Sequence, residues 1–219
     1  MRQPKIYKLD VSTTPTPTST SPTPVVTTSS TSPTPVVTTT LSPQACQALN
    51  NAVDTLKKPK QGGGAGAKNH EGVMPTINLT YGKLNEAKFI ATKISKGTST
   101  LDDRNAQIDK ALTGIENTLN EIATAKANYA SVKSTYCKAP APSFCTIINS
   151  TLTTLNDAKN NLNNITTKLN NVKDQNGPGK DKSYGANKLT TQLGVLNAQA
   201  NSIKTALLNL EAAISKGCK

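Results

Sequence analysis

The spacing of apolar residues near the C-terminus places the strongest constraint on the fold of this chain. Between residues 189 and 214 the apolar positions follow alternating steps of four and three, at Leu189, Leu193, Leu196, Ala200, Ile203, Leu207, Leu210 and Ile214. Such steps line apolar side chains along one side of an α-helix, forming a seam that packs lengthwise against other helices. The spacing therefore predicts a long helix near 187–216 that needs apolar partners.

Similar patterns predict two more long helices. In segment 101–137 an apolar or aromatic residue recurs every seven positions, at Leu101, Ile108, Ile115, Ile122, Tyr129 and Tyr136. Segment 143–174 carries a third seam, at Ile148, Leu152, Leu155, Leu162, Ile165, Leu169 and Val172. Two shorter helical segments, 44–58 and 75–96, carry Cys46, Leu49, Val53 and Leu56, then Ile77, Tyr81, Leu84, Ala91 and Ile94. With two Phe, five Tyr and no Trp in the chain, we expect an aliphatic core.

Residues that start, end and break helices lie at the borders of these segments. Ser42-Pro43, and Thr100 with Asp103, are typical helix starts. Glycine follows two predicted helix ends, and proline or glycine separates the long helices, at Gly97, Gly217, Pro140, Pro142 and Gly177-Pro178-Gly179. The borders therefore agree with the apolar seams.

The lengths of these segments predict an architecture. At 1.5 Å per residue each long helix spans roughly 45–55 Å, and short connections make sequential helices antiparallel neighbours. The segments 44–58 and 75–96 together match one such rod, interrupted by the glycine-rich loop 61–72. The fold class predicted for residues 44–219 is therefore all-α, an elongated up-down four-helix bundle with an interrupted first helix.

Residues 1–43 have a composition that cannot form a core. From Ser12 to Pro43, 27 of 32 residues are Ser, Thr or Pro, and an eleven-residue unit occurs twice, as TSPTPVVTTSS and TSPTPVVTTTL. Proline favours extended backbone, and too little apolar surface is present to offset chain entropy. We expect a disordered mucin-like stalk over 1–43, O-glycosylated if the chain passes through a eukaryotic secretory route.

Four cysteines form an even set without a CxxC pair, which favours disulfides and an oxidising compartment. The bundle wiring places all four at one end, where the simplest pairing is Cys137 with Cys145 and Cys46 with Cys218. Crossed pairings remain open. The first residues, Met-Arg-Gln-Pro-Lys, are followed by no apolar run of signal-peptide length, so an extracellular location implies a leader that is removed or absent from this sequence.

The positive charge points to anionic partners. The net charge is +12, of which Arg2, Lys5, Lys8 and Asp10 carry +2, leaving +10 for residues 44–219. Acidic lipid and sulfated or sialylated glycans are candidates, and a solvated lysine-rich surface is the alternative. Nucleic acid is disfavoured because the chain has only two Arg, Arg2 and Arg104, and its Lys are dispersed.

No group of residues predicts catalysis, a cofactor or a metal. The single histidine, His70, lies in the glycine-rich loop without a second ligand at metal-binding spacing. Asp102 and Asp103 suit a helix start, while Glu116 and Glu121 are placed on the polar side of a seam. No apolar stretch reaches 18 residues. The sequence therefore predicts neither an enzyme nor a transmembrane segment.

Asparagine is the basis of two further predictions. Three Asn-x-Thr sequons make Asn78, Asn149 and Asn164 candidates for N-glycosylation in a eukaryotic secretory pathway. Residues 160–171, NNLNNITTKLNN, put Asn and Thr where solvated helices usually carry Glu and Lys. This neutral polar face suggests contact with a glycan, a partner or a second copy, and compositional bias is the alternative.

The repeated TSPTPVVTT units together with a four-cysteine helical domain resemble secreted mucin-like proteins of insects, such as salivary mucins, glue proteins and the TsetseEP-type helical domain. The resemblance covers layout and composition, implies secretion, and carries no functional residue over.

Three functions fit these features. The first is a secreted, non-enzymatic adhesion module whose basic bundle binds an anionic or glycan surface, with the stalk as a glycosylated spacer. The second is an extracellular structural or coat protein that self-assembles. The third is a carrier of a small apolar ligand in the bundle core, in space left by Ala125, Ala127 and Ala200.

Overall fold

The computed structural model describes residues 41–57, 72–94, 96–138, 142–174 and 182–218, which belong to one compact unit, Thr38–Lys219. The regular structure of these ranges is all α-helical, which confirms the all-α prediction. Five helices are present in them, α1 (Pro43–Lys57), α2 (Val73–Ile94), α3 (Leu101–Tyr136), α4 (Phe144–Lys173) and α5 (Lys182–Gly217). Stalk residues 1–40, loop residues 61–71 with His70, Pro140 and Gly177-Pro178-Gly179 lie outside the described residues.

Several helix ends form as their sequences predict. The Ser42 hydroxyl accepts a hydrogen bond from the Ala45 amide at 3.2 Å, and Pro43 is the first residue of α1. Thr100 and Asp103 form a capping box, in which the Asp103 amide donates to Thr100 Oγ1 at 3.1 Å and the Thr100 amide donates to Asp103 Oδ2 at 3.0 Å. The Thr100 amide, together with the Thr100 hydroxyl that also donates to Asp103 Oδ2 at 2.8 Å, holds the pKa of the Asp103 carboxyl below its usual value. Gly97 has a φ of 74°, which glycine adopts without strain after a helix.

Helix α5 begins and ends at residues other than those predicted. Helix α5 begins at Lys182, earlier than the predicted 187, and Gly185 lies buried in its first turns. A Cβ atom at Gly185 would lie 3.0 Å from Arg104 Nη1, so the absence of a side chain lets α5 start against α3. Gly217 is the last residue of α5 rather than the residue after it, and its carbonyl accepts a hydrogen bond from the Leu41 amide at 2.9 Å.

The contacts between helices are selective. Helix α3 packs against α1, α2 and α4, and helix α5 packs against the same three helices. Within the described ranges, the backbones of α3 and α5 do not come close to each other, and the backbone of α4 approaches neither α1 nor α2. Helices α1 and α2 therefore share the same two long neighbours, and α4 lies on the opposite side of those neighbours.

The core is aliphatic, as the sequence predicts. Buried positions include Leu49, Leu56, Ile77, Leu84, Ile108, Ile115, Ile122, Ile148, Leu155, Leu162, Ile165, Leu189, Leu196 and Ile203. Tyr129 is the largest side chain that is fully buried among the described residues. The predicted seam of α2 is wrong at one position, because Tyr81 is 40% exposed and the neighbouring Thr80 is fully buried instead.

A close approach of α2 and α3 explains the burial of Thr80. A Cβ atom at Gly114 of α3 would lie 2.6 Å from Thr80 Oγ1 and 3.3 Å from Thr80 Cα, so only glycine fits at this contact. The Thr80 hydroxyl donates to the Thr76 carbonyl at 2.9 Å and lies 3.4 Å from the Thr118 hydroxyl. A tyrosine ring has no room in this contact, and the small threonine takes the inward position.

Arg104, near the start of α3, joins this helix to α4 and α5. It is 3% exposed, its Nη2 donates to the Val172 carbonyl at the end of α4 at 3.0 Å, and Gly185 of α5 lies beside it. A cation at the C-terminus of a helix complements the partial negative charge of the last carbonyls. Burial lowers the pKa of Arg104. The start of α3, the end of α4 and the start of α5 therefore meet around this side chain.

Candidate functional site

Two disulfides link helix ends. Cys46 near the start of α1 is bonded to Cys218 just after α5, and Cys137 just after α3 is bonded to Cys145 at the start of α4. Each pair has a Cα–Cα distance of 5.7 Å, within the usual range for disulfides. These are the pairs that the bundle wiring makes the simplest in the sequence. All four cysteines of the chain lie in the described ranges, and none of them is left free for redox or nucleophilic chemistry.

An open groove of about 390 Å³ lies between α4 and α5. All six residues that line it have polar side chains, namely Thr154, Asp157, Asn160 and Asn161 from α4 and Gln199 and Ser202 from α5. The α4 part of the lining overlaps the Asn- and Thr-rich segment in which the sequence suggests a contact surface. The α5 residues could not be found from that segment, because only the packing of α5 against α4 brings them there.

The helical repeat explains why these side chains face outward together. On α4, Ala158, Leu162 and Ile165 are buried in the core, while Asp157 and Asn160 on the opposite side are exposed and Asn161 is half-buried. Alternation of this kind is what one apolar stripe on a helix produces. Segment 160–171 is therefore anchored from within by its Leu and Ile and keeps its amides at the surface.

The groove side chains retain hydrogen-bonding capacity. Within the described part of the chain, Asp157, Asn160, Asn161, Gln199 and Ser202 use their side chains in no hydrogen bond. The Thr154 hydroxyl donates to the Ser150 carbonyl at 3.1 Å, so its oxygen remains an acceptor. Amides offer both donors and acceptors, and the Asp157 carboxylate offers acceptors only. The groove can therefore form several hydrogen bonds with one hydroxyl-rich ligand.

The ionisable side chains of the described ranges form no cluster that could hold a metal ion. Among these residues, no three His, Cys, Asp or Glu side chains come together as metal ligands. Glu116 is exposed as predicted, but the prediction for Glu121 is wrong, since that residue faces the interior at 8% exposure. Burial raises the pKa of Tyr129, whose hydroxyl has no hydrogen-bond partner in the described residues. A neutral phenol without a polar neighbour is not placed for acid–base chemistry.

The asparagines of the three sequons, Asn78, Asn149 and Asn164, are all exposed, so the fold has room for a glycan at each. The threonine at the third position of each sequon is less accessible than the asparagine. Thr80 and Thr151 are buried, and the hydroxyls of Thr80, Thr151 and Thr166 donate to backbone carbonyls four residues earlier.

The exposed lysines of the described residues are distributed along the chain. Exposed lysines occur on every helix or at its border, at Lys57, Lys96, Lys110, Lys133, Lys138, Lys159, Lys168, Lys188, Lys204 and Lys216. Arg104 does not contribute because it is buried.

The alanines behind the carrier hypothesis do not share one internal surface. Ala125 is fully buried, Ala200 is half-buried and Ala127 is exposed. They therefore do not line a common space in the core.

Comparison with protein-family models, with curated proteins and with solved structures finds no match to this chain. Within the described residues, no helix has the length and apolar character needed to cross a membrane.

Proposed function

We propose that this protein is a secreted, non-enzymatic adhesion module that binds a glycan surface through the groove between α4 and α5. The observation that carries the proposal is the lining of the groove, six polar side chains from two adjacent helices around an open volume of about 390 Å³. Two disulfides support an oxidising, extracellular location.

The proposed architecture is the elongated up-down four-helix bundle. In it α1 and α2 together occupy the first position, consistent with their shared neighbours α3 and α5. Residues 1–43 act as a glycosylated spacer that holds the bundle away from its point of attachment. A hydrated spacer of this kind lets a rigid module reach a surface without a fixed orientation.

The chemistry of the groove favours a sugar over an apolar ligand. Pockets for small ligands usually have volumes of roughly 300–1,000 Å³ and a mostly apolar lining. This groove has the volume but is lined by six polar residues, so we expect hydrogen bonds to supply much of the binding energy. A sugar ring carries hydroxyls that both donate and accept, which matches the amides of Asn160, Asn161 and Gln199.

The charge of the groove separates two contributions to binding. Asp157 is the one charged residue among the six described lining residues, and a carboxylate disfavours a sulfate or carboxylate group beside it. We therefore assign neutral sugar units to the groove. The dispersed lysines add a weaker attraction to anionic polymers, which salt screens over about 8 Å at physiological ionic strength.

Binding of the full chain to immobilised neutral and anionic glycans, at low and high salt, tests this proposal. Each hydrogen bond contributes on the order of 1 kcal/mol, so Asn160→Ala and Gln199→Ala should each weaken binding to a neutral glycan about fivefold. The matched control is Asn117→Ala, which removes an exposed amide from α3 and should leave affinity unchanged.

High salt should abolish binding to anionic polymers and spare binding to the neutral glycan. If Asn160→Ala, Gln199→Ala and Asn117→Ala bind with equal affinity, the glycan does not bind in the groove. If all glycan binding is lost at high salt, the charge of the lysines alone explains the binding and the proposal for the groove is wrong.

A further inference from the structure

The outward face of α2 carries a second regular pattern, independent of the glycan groove. Leu79, Gly82, Glu86, Phe89 and Lys93 follow steps of three and four along the side of α2 that points away from α3 and α5. Leu79 is 53% exposed and Phe89 is 58% exposed, and both are among the most exposed large apolar side chains described. We call these five residues the outer α2 face. Its spacing is that of a helix that packs against another helix.

Gly82 lies at the centre of this face and, like Gly194 on α5, is not required by packing within the described part of the chain. A Cβ atom added there would meet no other atom within 4 Å, in contrast to Gly114, where it would collide with Thr80. Glycine inside a helix costs roughly 0.5–1 kcal/mol relative to alanine. A helix surface without a Cβ at its centre lets a second backbone approach closely, as Gly114 does between α2 and α3.

We propose that the outer α2 face binds the same face of a second copy of this chain, with the two α2 helices antiparallel. A two-fold axis between Gly82 and Glu86 places Leu79 opposite Phe89 of the second copy, and Phe89 opposite Leu79. The same axis places Glu86 above Gly82 of the second copy, where no side chain obstructs it. A two-fold interface requires such self-complementarity, because one patch serves both partners.

The charges agree with this arrangement. Lys83 lies next to Gly82, so Glu86 placed above Gly82 of the second copy comes close to Lys83 of that copy. In the single chain Lys83 Nζ lies 3.4 Å from Glu86 Oε2, and the pair can exchange partners on association. Lys93, whose Nζ lies 4.4 Å from the centroid of the Phe89 ring, covers that ring in the single chain and must move aside.

The size of the face predicts a weak dimer. Helix α2 has 22 residues, and a helix of that length is about 33 Å long and 10–12 Å wide, so two such faces bury roughly 700 Å² in total. Stable complexes usually bury about 1,200–2,000 Å². We expect a dissociation constant of tens to hundreds of micromolar, which becomes effective where many copies are held on one surface and pairs of grooves act together.

Sedimentation velocity of the full chain between about 10 μM and 1 mM tests the pairing. Every protein in the series carries Asn78→Gln, because a glycan at the exposed Asn78 would stand beside this face. Leu79→Lys and Phe89→Glu should each weaken dimerisation at least tenfold. The double variant Leu79→Lys, Phe89→Glu should dimerise more strongly than either, since antiparallel helices bring the introduced lysine opposite the introduced glutamate twice.

Leu208→Lys is the matched control, because Leu208 is similarly exposed at 55% but lies on α5 and does not belong to the outer α2 face. It should leave dimerisation unchanged, and the thermal stability of all variants should match the parent since the changed side chains are exposed. A parent that stays monomeric up to 1 mM would overturn the proposal. So would an unaffected Leu79→Lys variant, or a double variant weaker than both single ones.

Discussion

Replacement of Gly114 by alanine tests the packing of α2 against α3. The added Cβ atom would lie 2.6 Å from Thr80 Oγ1 and 3.3 Å from Thr80 Cα and Cβ, distances shorter than ordinary carbon contacts. Thr80 is fully buried and hydrogen-bonded to the Thr76 carbonyl, so it cannot rotate away without losing that bond. The two helices must therefore separate by a few tenths of an ångström, or Thr80 must lose its partner.

The expected cost follows from two opposing effects. Overpacking of a core contact costs about 1–3 kcal/mol, and the higher helix propensity of alanine returns roughly 0.5–1 kcal/mol. We expect Gly114→Ala to lower the free energy of unfolding by about 1–2 kcal/mol, or the Tm by about 2–8 °C. Gly194→Ala is the matched control on α5, because a Cβ atom there meets nothing within 4 Å, and it should raise stability slightly.

Urea and thermal denaturation with both disulfides intact measure these differences. The double variant Gly114→Ala, Thr80→Ala removes the closest colliding oxygen, so it should be more stable than the sum of the two single changes predicts. If Gly114→Ala is as stable as the Gly194→Ala control, the close approach of α2 and α3 is refuted.

Three further predictions concern other contacts that hold the fold. Arg104→Met keeps most of the side-chain volume and removes the hydrogen bond to the Val172 carbonyl. Chemical denaturation should therefore show a free energy of unfolding that is lower by about 1.5–3 kcal/mol. An unchanged midpoint would contradict a stabilising role of Arg104 between the helices. Because the pKa of Asp103 is lowered in the folded state, its contribution to stability is present at neutral pH and disappears as pH falls through the folded pKa. Asp103→Asn should therefore lower the Tm at pH 7 and lose this effect progressively in acid, and a pH-independent difference would contradict this. The Cys46–Cys218 bridge closes a sequence separation of 172 residues, and the Cys137–Cys145 bridge closes one of 8. In the chain-entropy model, replacing both cysteines of a bridge by serine should lower the free energy of unfolding by about 5 kcal/mol for the long bridge and about 2.5 kcal/mol for the short one. The reverse order in chemical denaturation would show that native contacts outweigh loop entropy.

The helices and their core residues could be predicted from the sequence because their signals are local. Regular apolar steps such as Leu189 to Leu210 fix which side of a helix is buried, and Thr100 with Asp103 marks a helix start within four residues. The cysteine pairs agree with the sequence argument because the order of the long helices brings those positions to common ends.

The predictions are wrong where distant segments decide the outcome. Tyr81 fits an apolar seam by spacing, yet Thr80 is buried because Gly114, in another helix, leaves room for a small residue alone. Glu121 lies on the polar side of a seam by spacing, although its surroundings in the fold bury it. Gly114 and Thr118 could have indicated this contact from the sequence, because a glycine and a threonine four residues apart give a long helix a narrow side against which another helix can pack closely.

The groove could be predicted only in part. The Asn- and Thr-rich face of α4 is visible in the sequence, whereas Gln199 and Ser202 belong to α5 and join the groove through helix packing. The outer α2 face becomes recognisable only when the inward side of α2 is known, because Leu79 and Phe89 look like core residues until Ile77, Leu84 and Ala91 occupy the core.

The central claim, that the groove between α4 and α5 binds a neutral sugar, is tested most directly by the side-chain amide signals of asparagine and glutamine in nuclear magnetic resonance. The isotopically labelled full chain would be titrated, in high salt, with the neutral oligosaccharide that it binds best on the immobilised panel. We predict that the amide signals of Asn160, Asn161 and Gln199 shift and saturate together, while that of Asn117 on α3 does not move. Saturable shifts elsewhere with these three signals unmoved, or no saturable shift at all, would contradict it.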